Sequence, residues 1–214
     1  MNELFKPIGL ASWPRREHYD FFRAYGLPYF SITTEIDITR LRQDLKTRKE
    51  SFTVGLVYVV ARAANAIPEF KQRIREGPVE YRAVHPGLTV LSEGGLFRFC
   101  YLKYVEDFCE FATEATEKID LARRATLLGA NPHRDDCLYM SSLPWFSLTG
   151  MVHPQPLDPL DSVPRLAWGR FRRRNDRVIL PLNVQAHHAL IDGRHVARLI
   201  TQLEELIERS ESIL

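Results

Sequence analysis

The sequence predicts an α+β fold in which helices pack as one layer on a mixed β-sheet, and three observations predict it. Residues 29–37 and 178–186 alternate apolar and polar side chains with the period of a strand. Residues 52–67 and 194–208 carry apolar side chains at helical spacing. Strands and helices do not alternate strictly along the chain, as a fully parallel βα architecture requires.

Each element follows from local chemistry. Residues 16–25 read as a short helix closed by Gly26. In 29–37, Phe30, Ile32, Thr34 and Ile36 form one strand face. Asp37 then caps a helix carrying Ile38, Leu41 and Leu45. Residues 52–67 are apolar almost all round and include Gly55, Ala61, Ala63, Ala64 and Ala66, the pattern of a helix packed closely on both sides and ended by Pro68. Residues 79–84, 88–91 and 96–102 read as three strands of a meander separated by His85-Pro86-Gly87 and Glu93-Gly94-Gly95. Residues 105–127 are mostly helical by charge pattern, 129–136 form a loop, and 138–142 a further strand. Residues 165–171 and 178–186 make an antiparallel pair around the turn at 174–177. The last helix, 194–208, buries Val196, Leu199, Ile200, Leu203, Leu206 and Ile207.

Composition bounds the function. The 214 residues are 45% apolar and 26% charged, enough for a large core without disulfides or metals, since a chain of this size hides roughly 70 to 75% of its unfolded surface. One domain over residues 1–214 is the expectation, because no repeat or low-complexity linker interrupts the chain. With 29 Lys and Arg against 27 Asp and Glu, the net charge of +2 gives no field to hold nucleic acid. Cys100, Cys109 and Cys137 have no metal or redox spacing and read as reduced thiols. The start lacks the apolar core of a signal peptide, and the longest apolar run, 54–61, is far shorter than the roughly 20 residues needed to span a bilayer. These features predict a soluble cytoplasmic chain with no membrane partner.

The chemistry concentrates near the C-terminus. In 178–188, Val178, Leu180, Leu182, Val184 and Ala186 share one strand face, and period-two alternation adds His188 to its end, beside the turn Ala189-Leu190-Ile191-Asp192-Gly193. A buried neutral imidazole at such a place is able to accept a proton, as a general base must; the same pattern also fits a structural histidine. His187 takes the opposite face and reads as structural, and His195 as a helix-start cap. His18, His85, His133 and His153 lack mutual zinc-ligand spacing, so no metal is expected.

The string VQAHHALIDGRHVARLI, with His188-x-x-x-Asp192-Gly193, resembles the active-site signature of the chloramphenicol acetyltransferase family and of the wider group containing dihydrolipoamide acyltransferase cores. WPRREHYDFF (13–22), SITTEIDIT (31–39), MSSLPWFSLTGM (140–151) and DRVILPLNVQAHHALIDGRHVAR (176–198) are similar to that family's segments in the same order, so the resemblance covers nearly the whole chain.

The resemblance implies a homotrimeric acetyltransferase with sites between subunits, acetyl-CoA as co-substrate, no permanently bound cofactor, and a small hydroxyl-bearing acceptor, chloramphenicol first. His188 would be the general base, its ring held in an uncommon tautomer by its own main-chain carbonyl. Asp192 would pair with Arg15 to fix the loop, and Ser141 would donate to the tetrahedral oxyanion. Trp145 and Phe171 would line the coenzyme channel. Arg170 replaces a lysine near coenzyme phosphate, and the run Arg170, Arg172, Arg173, Arg174 and Arg177 either reinforces that contact or is a solvated hairpin tip.

The acceptor pocket would include Phe22, Phe97, Arg165 and Ala167, and here the sequence departs from the family. Ala167 stands for a threonine, Phe22 for a tyrosine, Ser51 for a coenzyme lysine and Arg165 for an apolar residue, while His153 and Asp161 fall in an apolar wall; Phe97 keeps an aromatic wall. Three alternatives therefore stand beside chloramphenicol: another hydroxyl or amine acceptor, a dihydrolipoamide acyltransferase-like core, and a non-catalytic ligand-binding trimer. The length of 214 and the absence of a lipoyl domain or Ala/Pro-rich linker weigh against the second, and the intact His188, Asp192 and Ser141 against the third.

Overall fold

A computed structural model describes residues 4–157 and 161–214. In chain order the elements are β1 (Phe5–Pro7), α1 (Arg16–Phe22), β2 (Tyr29–Asp37), α2 (Thr39–Arg48), α3 (Phe52–Asn65), a 3₁₀ turn (Pro68–Lys71), β3 (Gln72–Ile74), β4 (Pro78–Tyr81), β5 (His85–Leu91), β6 (Phe97–Tyr101), α4 (Phe108–Arg124), β7 (Cys137–Leu143), β8 (Arg165–Gly169), β9 (Arg172–Arg174), β10 (Arg177–His187), α5 (Gly193–Glu208) and α6 (Ser210–Ile213). The main sheet runs β2-β10-β8-β7-β5-β6, with β9 also paired to β10. The pairs β5–β7 and β7–β8 are parallel and the others antiparallel. This is the expected α+β arrangement of helices on a mixed sheet.

One sheet face, carrying Leu180, Leu182, Val184, Leu166, Met140 and Leu88, shares a continuous apolar core with the helices. The helix α3 lies at its centre, ten of its residues buried, with Ser51 capping its first turn by accepting from the Val54 N–H at 3.5 Å. Gly55 is required there: a Cβ at this position would meet the Leu45 side chain of α2 at 2.5 Å.

The opposite face is polar and is crossed by the chain that follows β7. Met151 O accepts from Ser31 Oγ at 2.7 Å, the His153 N–H donates to Gln185 Oε1 at 2.7 Å, and Gln185 Nε2 donates to Gln155 Oε1 at 2.6 Å. At Gly169 this segment comes so near that a Cβ would stand 2.6 Å from Leu148 N and 2.9 Å from Phe146 O. The strand expected over 165–171 therefore breaks at Arg170 and resumes as β9, with Asn175 (φ 54°) in the following turn.

The expected three-strand meander does not form. The strand β4 pairs with β1 and β3 in a separate three-stranded sheet, while β5 pairs with β6 and, in parallel, with β7. Period-two alternation marks a strand without naming its neighbour. The small sheet is tied to the main one by Arg73, fully buried, which donates to the carbonyls of Phe70, Gln72, Asp135 and Cys137.

Candidate active site

The histidine loop is built where β10 ends. The His188 N–H donates to Pro28 O at 2.8 Å, the last tie between β10 and the chain entering β2. Its ring packs against two aromatic rings, stacked on Phe22 at 4.2 Å and tilted against Phe30 at 4.8 Å. His188 Nδ1 is 3.0 Å from Ile191 O. A carbonyl only accepts, so Nδ1 carries the proton and Nε2 is the ring's acceptor. The carbonyl that fixes the tautomer is thus that of Ile191, three residues on. The expected partner, the carbonyl of His188 itself, is engaged elsewhere, accepting from an Arg15 terminal nitrogen at 2.8 Å.

Arg15 uses the rest of its guanidinium on the same loop: Nε donates to Ala189 O at 3.0 Å and the other terminal nitrogen to Asp192 Oδ2 at 2.6 Å. Asp192 also caps α5, its Oδ1 accepting from Arg194 N–H at 3.0 Å, while His195 Nδ1 accepts from the Asp192 N–H at 3.0 Å. Burial opposes ionisation of Asp192, but the Arg15 hydrogen bond, His195 and the Arg194 N–H outweigh it and hold its carboxyl below the ordinary aspartate range. His187 points to the polar face, is buried edge-on to Tyr29 at 5.4 Å, and accepts from the Ala189 N–H. Burial pulls its pKa down to about 4.

Ser141 belongs to β7, on the polar face. Register places Thr89, Ser141, Ala167, Asn183 and Thr33 in one row across five strands, and Thr89 Oγ1 donates to Ser141 Oγ at 2.9 Å, leaving the serine proton free to donate. Since His188 lies five positions beyond Asn183 on β10, and Ser141 two strands across from Asn183, spacings of about 3.3 Å per residue and about 4.8 Å per strand separate His188 and Ser141 of one chain by about 19 Å. The two groups do not meet within a single copy.

The remaining candidates divide between the two faces. Arg165 is buried, pairs with Asp161 Oδ2 at 2.5 Å and lies over the Tyr139 ring at 5.3 Å; Ala167 is fully buried. His153 is half-buried on the same side, its pKa pulled down to about 4 by burial and by Arg165. Phe97 lies on the edge strand β6, half exposed and against Phe99 at 5.6 Å. On the helix face a cavity of about 190 Å³ is lined by Thr53, Val57, Met140, Ser142, Trp145 and Trp168 among others, and reaches Thr89, the hydrogen-bond partner of Ser141.

Trp145 is 59% exposed at this cavity. Arg170 is exposed, its N–H bonded to Phe146 O at 2.8 Å, and Phe171 packs against Phe52 at 6.1 Å. Of the basic run, Arg172 and Arg174 bond Glu35, and Arg177 lies 3.6 Å from Asp37, which commits most of it to carboxylates. Sequence reasoning missed Thr89 and Phe30. Both stand at alternating strand positions, and only the pairing of β5 with β7 and of β2 with β10 brings them to Ser141 and His188.

The cysteines offer no nucleophile to this site: burial pushes Cys100 up to about 11 and Cys137 up to about 12, and Cys109 lies on α4. Among the described residues no cluster of His, Cys, Asp or Glu is arranged to hold a metal, and no helix is long and apolar enough to cross a membrane.

Comparison with known proteins gives one family by sequence and a wider set of proteins of the same fold by structure. The chloramphenicol acetyltransferase family profile matches residues 1–204. A chloramphenicol acetyltransferase of Streptomyces acrimycini is 34% identical over 210 residues, covering 94% of this chain and 93% of its own length. Chloramphenicol acetyltransferase 2 of Haemophilus influenzae is 32% identical over 209 residues, covering 95% and 97%. A solved chloramphenicol acetyltransferase superposes with a TM-score of 0.83 at 29% identity, over 95% of this chain and 99% of that one. The truncated catalytic core of a 2-oxoacid dehydrogenase complex from Thermoplasma acidophilum, at 20% identity and a TM-score of 0.67, shares the fold.

Proposed function

Because the chain belongs to the chloramphenicol acetyltransferase family and is an acyltransferase, we propose that it transfers an acetyl group from acetyl-CoA to the hydroxyl of a small acceptor, with His188 as general base. The observation that carries this reading is the His188 ring: its Nδ1 proton is committed to Ile191 O and it packs against Phe22 and Phe30, so Nε2 is held as an acceptor in one orientation.

In the proposed reaction, His188 Nε2 takes the proton of the acceptor hydroxyl as that oxygen attacks the thioester carbonyl. The resulting oxyanion accepts a hydrogen bond from Ser141, whose own oxygen is held by Thr89. Collapse breaks the carbon–sulfur bond, and the imidazolium returns its proton to the departing thiolate. A base of this kind contributes about 10² to 10⁴ in rate and one oxyanion donor about 10² to 10³. Asp192 and Arg15 are positioning residues, fixing the loop from which His188 projects.

The separation of about 19 Å between His188 and Ser141 supports a site assembled from two copies, and with it the homotrimer. Residues 1–214 are then one catalytic domain whose sites lie at its borders. The donor would enter along the cavity beside Trp145, with Phe171 and Arg170 at its mouth, and the acceptor would meet the polar sheet face and the ring of Phe22. Phe97 and Ala167 would border that pocket.

Chloramphenicol is the first acceptor to assay. The buried Arg165–Asp161 pair over Tyr139 favours a second reading, a more polar hydroxyl compound. Release of free thiol from acetyl-CoA, followed with chloramphenicol and with a panel of small alcohols, tests both. The proposal expects release only with an acceptor and its loss in His188→Ala; a His188→Ala protein that still turns over rejects the assigned base.

A further inference from the structure

We infer that Arg42, on α2, binds a phosphate of the acyl carrier at the mouth of the cavity beside Trp145. This rests on the donor being coenzyme A, as proposed above. Thr53, at the start of α3, and Trp145 both line this cavity. The chain neighbours of both reach one aromatic ring. Phe52, next to Thr53, packs on Phe171, and the chain beside Trp145 is bonded through Phe146 O to the Arg170 N–H. Over the Phe171 ring, at 4.8 Å from its centroid, lies the Arg42 guanidinium.

Among the described residues Arg170 and Arg173 also lack a carboxylate partner but are exposed, and the other arginines nearby are paired. Arg123, which also lines the cavity, is paired with Asp120 at 2.9 Å; Arg172 and Arg174 hold Glu35, and Arg177 faces Asp37. Arg42 has no carboxylate partner among the described residues and is half-buried, its planar fork laid on an aromatic face with its N–H edges unspent. A guanidinium so placed is pre-oriented for bidentate bonding to a phosphate, and stacking leaves those edges free.

Binding measured by titration calorimetry separates this contact from the acyl-transfer reading, because it needs no acceptor. The probes are coenzyme A and pantetheine, which carries the thiol arm without phosphates. Arg42→Met keeps the apolar cover on Phe171 and removes the charge. It is expected to weaken coenzyme A about tenfold, the scale of one charge-assisted hydrogen bond, to leave pantetheine unchanged, and to reduce the salt dependence of coenzyme A binding. Arg42→Lys is expected to recover part of the loss. Unchanged affinity for coenzyme A in Arg42→Met overturns the assignment while the acyl-transfer reading stands. Equal weakening of both probes overturns it too, since Arg42 would then only support Phe171. Failure of the unaltered protein to bind either probe removes the coenzyme reading and this contact with it.

Discussion

Arg15 and Asp192 meet at 2.6 Å although 177 residues separate them, and the same guanidinium holds the carbonyls of His188 and Ala189. One side chain thus sets both ends of the loop that carries the imidazole. Asp192→Ala removes the partner of a mostly buried arginine and the cap of α5 together, and is expected to cost about 2 to 4 kcal/mol in urea unfolding. Asp192→Asn, which keeps an N-cap acceptor, should cost less in stability while still lowering kcat. An Asp192→Asn protein with unaltered kcat would leave the ion pair no part in positioning His188.

Two inactive proteins should make an active one. On the proposed reading, His188→Ala and Ser141→Ala chains, each inactive or nearly so, would supply complementary halves of a site shared between subunits. Unfolded together in equal amounts and refolded, they are expected to regain about one quarter of the unaltered activity, the random share of interfaces in a cyclic trimer that unite an intact histidine with an intact serine. Activity no higher than the sum of the two variants would place both groups in one chain's site or deny the site altogether.

Acid should destabilise the fold through histidines that take no part in the chemistry. His153 and His187 are both pulled from the ordinary 6.5 to about 4 by burial. A depressed folded-state pKa means that the unfolded chain binds protons first, so the stability these residues support is complete above about pH 6.5 and is lost as pH falls toward about 4. The urea midpoint should fall over that window, and more gently in a His153→Gln, His187→Gln protein. An identical pH slope in that double variant would show that neither histidine is kept neutral by the fold.

Arg73 offers a test of the join between the two sheets. Among the described residues its guanidinium bonds to main-chain carbonyls alone, and burial lowers its pKa to about 10. Arg73→Met takes away the buried donor that these carbonyls share, with an expected loss of about 3 kcal/mol or more. Thermal unfolding measures it, and a loss under about 1 kcal/mol would mean that water replaces the guanidinium.

The parts of the fold legible in the sequence are those set by neighbours along the chain. Residues 29–37 alternate and form β2 over that span, and α3 and α5 follow their apolar spacing. What was not legible depends on chain segments distant in sequence. The alternation of 79–84 gave no sign that β4 pairs with β1, and Arg170 breaks a strand because Phe146 and Leu148 cross at Gly169.

The candidate site divides the same way. The signature around His188 marked the loop, and Arg15 and Asp192 are found joined. The choice of Ile191 O over the His188 carbonyl as the tautomer's partner, and the presence of Thr89 behind Ser141, depend on tertiary geometry.

The Arg15 clamp also orders events in time. Loops closed over so long a span are entropically expensive and form late. While the chain is being synthesised, Arg15 has neither carbonyl nor carboxylate to bind until the segment carrying Asp192 has emerged, so the imidazole has no fixed aim. On the reading proposed above, a nascent chain would stay catalytically silent until Arg15, at the start of α1, docks on the loop that leads into α5.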